Sequence, residues 1–171
     1  MQKSILLIPA VEVHASHGEK VAHVTILGCE DLKFRKYIDV LELIDNAHSA
    51  GGIAINVHPF GGFFRPGFTE ENIVKRFDAV EVLNGMTPNR FNRKALRMAE
   101  MFEMKKTAGS DAHTLRMVGD FACEIDADSV DGIIRAVKKG KVKIPEKKTE
   151  PINILTTQVA RKIYTKLGLN K

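Results

Sequence analysis

Tryptophan is absent from these 171 residues, and two tyrosines and nine phenylalanines supply all the aromatic surface. That scarcity removes the stacking platforms that grip single-stranded nucleic acid. Cysteine is as scarce: Cys29 and Cys123 stand alone, with no C-x-x-C spacing. A disulfide framework and a cysteine zinc knuckle are both set aside, and the two read as buried free thiols of a reducing cytosol. No apolar run reaches the roughly 20 residues of a membrane helix, and the N-terminus lacks the layout of a signal peptide. The expectation is a cytoplasmic protein with no membrane partner. At 44% hydrophobic residues, there is enough apolar material for one globular core.

The net charge of +5 is unevenly spread. Residues 1–131 hold 15 Lys and Arg against 19 Asp and Glu, whereas residues 132–171 hold 11 against 2. A basic C-terminal segment can follow a polyanion such as a nucleic-acid backbone. It reads also as a solvated tail, and without interleaved aromatics the nucleic-acid reading is weakly supported.

Strand and helix patterns alternate. Apolar runs at 6–13, 21–27, 52–57, 78–83, 104–108 and 120–126 read as strands. Helical spacing marks 34–50 (Tyr37, Ile38, Leu41, Ile44), 89–102 (Phe91, Ala95, Met98, Phe102) and 152–167. Thr69 to Asn72 looks like a helix start with acids in its first turn, and Ser129 reads as the cap of a helix to Lys139. Gly51-Gly52 stops one helix and starts a strand. Such alternation predicts an α/β fold with a mostly parallel sheet. The run Ile5-Leu6-Leu7-Ile8 is as apolar as an interior strand, yet nothing before it supplies a neighbour.

Chemistry concentrates in Gly109-Ser110-Asp111-Ala112-His113. After a strand, side chains at i and i+2 point the same way, so Asp111 and His113 can grip one small cation. One oxygen and one nitrogen suit Zn²⁺, Mn²⁺ or Fe²⁺ better than Ca²⁺. The alternative is a turn in which Ser110 and Asp111 cap the next segment. Three more strand-like runs carry a metal-competent side chain at or near an end: Glu12, His23 and His58. In a parallel α/β sheet the C-terminal strand ends share one rim, where such folds do chemistry. His14 shares the face of Glu12, and His14 and His17 read as exposed.

With those residues in view, the chain resembles the PHP (polymerase and histidinol phosphatase) family of metal-dependent phosphoesterases. The resemblance rests on Ile8-Pro9-Ala10-Val11-Glu12-Val13, on Ala22-His23-Val24-Thr25-Ile26-Leu27-Gly28, on Gly51-Gly52 through His58-Pro59, and on Gly109 to His113. It covers roughly residues 4–140 and departs in two places. The strands carrying His-x-His and Asp-His, which open the family's domain, are missing, and Ala10 replaces a preferred glycine. The residues before Ile5 read like the end of the helix preceding this strand, which would make Met1 an internal position of a longer ancestral frame.

The resemblance implies an incomplete (truncated) distorted β/α barrel of the PHP type. Residues 1–141 would be a partial phosphoesterase domain, and residues 142–171 a basic linker and C-terminal helix packing on or extending it. It implies Glu12, His23, His58, Asp111 and His113 as ligands of a divalent metal. Arg65, in the loop after His58-Pro59, is the candidate catalytic phosphate clamp, because a guanidinium matches phosphate oxygens in a fork; a solvated loop arginine is the alternative. Asn84 and Arg90, near the rim, are weaker candidates of the same kind, and for both the structural reading is preferred. The expected activity is hydrolysis of a phosphomonoester, nucleotide or nucleic-acid phosphate at an incomplete metal centre. The alternative is a catalytically impaired metal-binding domain that regulates or serves a partner. The unpaired N-terminal strand suggests a homo-oligomer.

Overall fold

Residues 10–27 fold as a hairpin because their apolar side chains alternate. The computed structural model describes residues 5–29, 35, 37–61 and 67–149. In it β1 (Ala10–His17) pairs antiparallel with β2 (Lys20–Leu27). Gly18, at φ +58°, makes the turn between His17 and Lys20. Val13, Ala15, Ala22, Val24 and Ile26 are buried. Period two puts them on one face and Glu12, His14, His23 and Thr25 on the other.

A short β3 (Ile38–Asp39) runs parallel to β1 and leads directly into α1 (Val40–Ser49). The Asp39 side chain accepts the Leu41 N–H at 2.9 Å and caps that helix. Next come β4 (Ile53–Asn56), α2 (Glu71–Val74), β5 (Ala79–Asn84), α3 (Asn89–Met101), β6 (Lys106–Gly109) and α4 (Val130–Lys138). The sheet order is β3-β1-β2-β4-β5-β6.

Each face of the sheet is covered by its own helices. On one face, Val40, Leu43, Ile44 and Ala47 of α1 bury against the hairpin with Phe68 and Phe77. Val80 and Val82 of β5 meet Met98 and Ala99 of α3, and Met104 touches both clusters. On the other face, Ile53, Ile55, Val57 and Ala79 pack on Ile134 and Val137 of α4. Each such side chain, fully buried, contributes roughly 1.5–3 kcal/mol. That second face is only partly covered, and the uncovered part is where the site forms.

Several sequence expectations are corrected. The sheet is mixed rather than mostly parallel: β1–β2 and β2–β4 are antiparallel, and β1–β3, β4–β5 and β5–β6 are parallel. A two-residue connection at Gly18 can join only antiparallel strands. Among the described residues the six strands form an open sheet, and the expected incomplete barrel is not itself contradicted.

The first strand begins at Ala10 instead of Leu6. Residues 5–8 are outside it, with Ile5 and Leu7 86% and 81% exposed. The Pro9 carbonyl accepts the Gly28 N–H at 2.8 Å, but proline has no N–H to return, and the ladder ends there. The segment 120–126 is not a strand. Glu124 makes one bridge to Lys143, while Cys123 Sγ receives the Ala108 N–H at 3.0 Å and reaches the Ala108 carbonyl at 3.4 Å. A side chain thus occupies the edge of β6 that a further strand would have used. Both cysteines are free and half-buried rather than buried. Ser129 does cap α4, accepting the Gly132 N–H at 3.2 Å. Val142 and Ile144 pack against the cores of the two faces. The expected helix at 152–167 lies outside the described residues, among which no helix is long and apolar enough to cross a membrane.

Candidate metal centre

Glu12 and His23 project from the uncovered face of the hairpin, and His58 follows β4 by two residues. One donor atom from each lies within 4.8 Å of the other two. Glu12 Oε1 is 2.5 Å from His23 Nδ1 and 3.8 Å from His58 Nε2. Ligands about 2.0–2.2 Å from a tetrahedral ion sit about 3.4 Å apart, so the two spacings straddle that value. His23 Nδ1 is buried, and despite its closeness to Glu12 it is aligned with no hydrogen-bond partner. His58 Nδ1 is also buried without a partner. Two imidazoles and one carboxylate fit a divalent cation of borderline softness.

The electrostatics favour a charged cluster. The adjacent His23 imidazole, then that of His58, holds the Glu12 carboxyl far below the usual carboxylate range against the opposing effect of burial. Burial works against protonating His58, whose side chain is 3% exposed. The neighbouring Glu12 carboxylate and the fields of Glu81 and Asp111 outweigh it, so the His58 pKa is raised. The His14 ring lies on that of His23, centroids 4.4 Å apart, and braces it from the exposed side.

Glu12 and His58 line a cavity of about 330 Å³. Its polar wall includes Glu12, Thr25, His58, Glu81, Asn84 and Asp111, and its apolar wall includes Leu27, Ile55, Val57, Ile133 and Val137. Asp111 enters from the loop two residues past β6, its Oδ2 3.4 Å from Asn84 Nδ2. His113 does not line the cavity and is exposed. Its Nδ1 donates to the Asp111 carbonyl at 2.7 Å, which leaves Nε2 as the nitrogen with a free lone pair. Arg65 lies outside the described residues.

Only His58 and Asp111 sit just past strand C-termini. Glu12 is the third residue of β1 and His23 the fourth of β2, so the cluster is built on a sheet face as much as on a rim. His58 and Asp111 are also two of the four non-glycine residues with positive φ among those described, at +30° and +50°. Such backbone costs about 1–3 kcal/mol per residue and persists only where its surroundings hold it.

Asn84 is 1% exposed, and its side chain bonds Glu81, Met86 and Thr87 as well as Asp111, in keeping with a structural role. Arg90 packs over the Phe91 ring, 4.6 Å from its centroid. The sequence reading missed Glu81, 7% exposed, with burial pushing its pKa up to about 7. Its signal is present nonetheless: one acid inside an otherwise apolar strand that the packing covers on both faces.

Comparison with family models matches one part of the chain. Residues 89–142 match the PHP-associated family. This stretch runs from α3 through α4 to Val142, includes Asp111 and His113, and is consistent with the C-terminal portion of a PHP-family protein. Among solved structures the chain is similar to PsfC from Pseudomonas syringae PB-5123, with a TM-score of 0.67 at 17% identity. The likeness covers 90% of this chain, which spans about 65% of the length of that one; at this identity it shows a shared fold. No curated protein matches the chain.

Proposed function

We propose that this chain carries the metal-binding half of a PHP-type phosphoesterase centre on its open mixed sheet. The observation that carries the reading is the meeting of Glu12, His23 and His58 within 4.8 Å at a cavity that Asp111 also lines. A PHP-associated match in the same chain supports it. The substrate class is a phosphorylated small molecule or nucleotide, and Zn²⁺, Mn²⁺ and Fe²⁺ all suit the donor set. A cation bound there would supply polarisation of a phosphoryl oxygen and a more acidic bound water. Glu12 and the two imidazoles supply its ligands, Asp111 faces the same space, and Leu27, Ile55 and Val57 keep that side dry.

A second reading is a binding or regulatory domain that needs a partner for turnover. It is favoured by the single three-residue ligand group among the described residues, since in-line phosphoryl displacement at two-metal centres uses a second cation. Both readings are tested together. Chelator-stripped protein is titrated with Zn²⁺ and Mn²⁺ and assayed on nitrophenyl phosphate and nucleoside monophosphates, beside His58→Ala and Asp111→Ala. One equivalent bound, lost in His58→Ala, is expected, with slow metal-dependent turnover lost in Asp111→Ala. Binding without turnover selects the partner-dependent reading, and no binding by the wild type overturns both.

A further inference from the structure

We infer that Glu81 and Asn84 form a positioning clip that sets His58 and Asp111 at the metal centre. The inference rests on the metal-site reading above and adds two residues that do not themselves touch the cation. In a regular strand, residues i and i+3 face opposite sides of the sheet. β5 is not regular here: Glu81 pairs with Thr107 and Leu83 with Ala108, so the register shifts by one residue between them. The bulge re-aims the chain beyond it and brings Glu81 and Asn84 to the same side. Asn84 Nδ2 then donates to Glu81 Oε2 at 3.0 Å.

That oxygen also accepts the backbone N–H of His58 at 2.8 Å. From its other side Asn84 Nδ2 reaches Asp111 Oδ2 at 3.4 Å. One carboxylate and one amide therefore hold both left-handed residues, His58 and Asp111, on which ligand atoms depend. Gly109 completes the fit, since a Cβ there would lie 2.6 Å from Glu81 Oε1. Contacts of this kind around metal sites are worth about 10–100-fold in metal affinity.

The test compares wild type, Glu81→Gln, Glu81→Ala and Gly109→Ala. Each is read for Co²⁺ affinity by visible absorption and chelator competition, for His58 amide exchange by NMR of the metal-free protein, and for melting temperature. Glu81→Gln keeps an acceptor for the His58 N–H, so its Co²⁺ affinity stays within about threefold of wild type and its His58 amide stays protected. Glu81→Ala and Gly109→Ala lose about tenfold or more in Co²⁺ affinity, with His58 exchange accelerated by a similar factor while other β4 amides keep their rates. Folded Glu81→Ala or Gly109→Ala with wild-type cobalt affinity and His58 protection overturns the inference. So does a Glu81→Gln variant as weak as Glu81→Ala, which would make the carboxylate itself a ligand. Should wild type bind no cobalt, the metal-site reading falls, and His58 exchange in the metal-free protein still decides whether the clip exists.

Discussion

Replacing Glu81 by glutamine removes a charge that the fold holds at a cost, and the pH dependence of stability exposes it. Unfolded, this carboxyl ionises near 4.5; folded, burial raises it to about 7, against the pull of His58 and the hydrogen bonds from the His58 N–H and Asn84. Between those values the folded protein holds one proton more than the unfolded chain, so stability falls as pH rises. Below 4.5 both states are protonated and the penalty is absent; above 7 it is complete. At ~1.36 kcal/mol per pKa unit, the penalty reaches roughly 3 kcal/mol. His58, with a raised pKa, acts in the same direction, because its contribution is full below 6.5 and lost as pH climbs through the folded value. Glutamine keeps the shape and an acceptor while never ionising. Metal-free wild type and Glu81→Gln are unfolded in urea at pH 4.5, 6 and 8 in the presence of a chelator. The variant should match wild type within about 1 kcal/mol at the lowest pH and exceed it by roughly 2–3 kcal/mol at pH 8. Parallel curves across the range, or a wild type that gains on the variant as pH rises, would refute the assignment of Glu81 as a buried, charge-strained acid.

Two further substitutions test the surroundings of the site. Asn84→Ala strips acceptors from the Met86 N–H at 2.9 Å and the Thr87 hydroxyl at 3.0 Å. It should cost about 2–4 kcal/mol in denaturant unfolding, and a loss under about 1 kcal/mol would show that water takes its place. Two glycines give a contrast: a Cβ at Gly52 would meet the Leu27 carbonyl oxygen at 2.5 Å, whereas one at Gly18 meets nothing within 4 Å and faces only its φ of +58°. Gly52→Ala should therefore destabilise by about 1–3 kcal/mol and Gly18→Ala by about 1 kcal/mol, an order that melting curves can check.

What was legible in the sequence was local. Alternation in residues 21–27 wrote β2, the serine before an amphipathic run wrote the start of α4, and Asp-x-His after an apolar run marked the loop past β6. Strand direction was not local. A two-residue turn at Gly18 forces antiparallel pairing, but helices elsewhere in the chain pulled the reading toward a parallel sheet. The same limit misplaced the first strand. Residues 5–8 are the most apolar stretch of the N-terminus, yet a strand needs a partner, and β2 ends opposite Ala10.

Glu81 shows why the site was only half legible. Composition marks it as an acid within an apolar strand, and by itself that reads as an edge position or a surface face. Its role depends on a one-residue register shift against β6, which no periodicity of β5 alone contains. The shift turns Asn84 toward Glu81, Gly109 leaves the space the carboxylate fills, and the His58 N–H points at the oxygen they share. Ligand types can be listed from sequence because they are chosen for chemistry. The groups that aim them are chosen for register, and register belongs to pairs of strands. The two left-handed residues at this site, His58 and Asp111, would each be strained alone; the same carboxylate–amide pair contacts both, which is the kind of surrounding that lets such backbone persist.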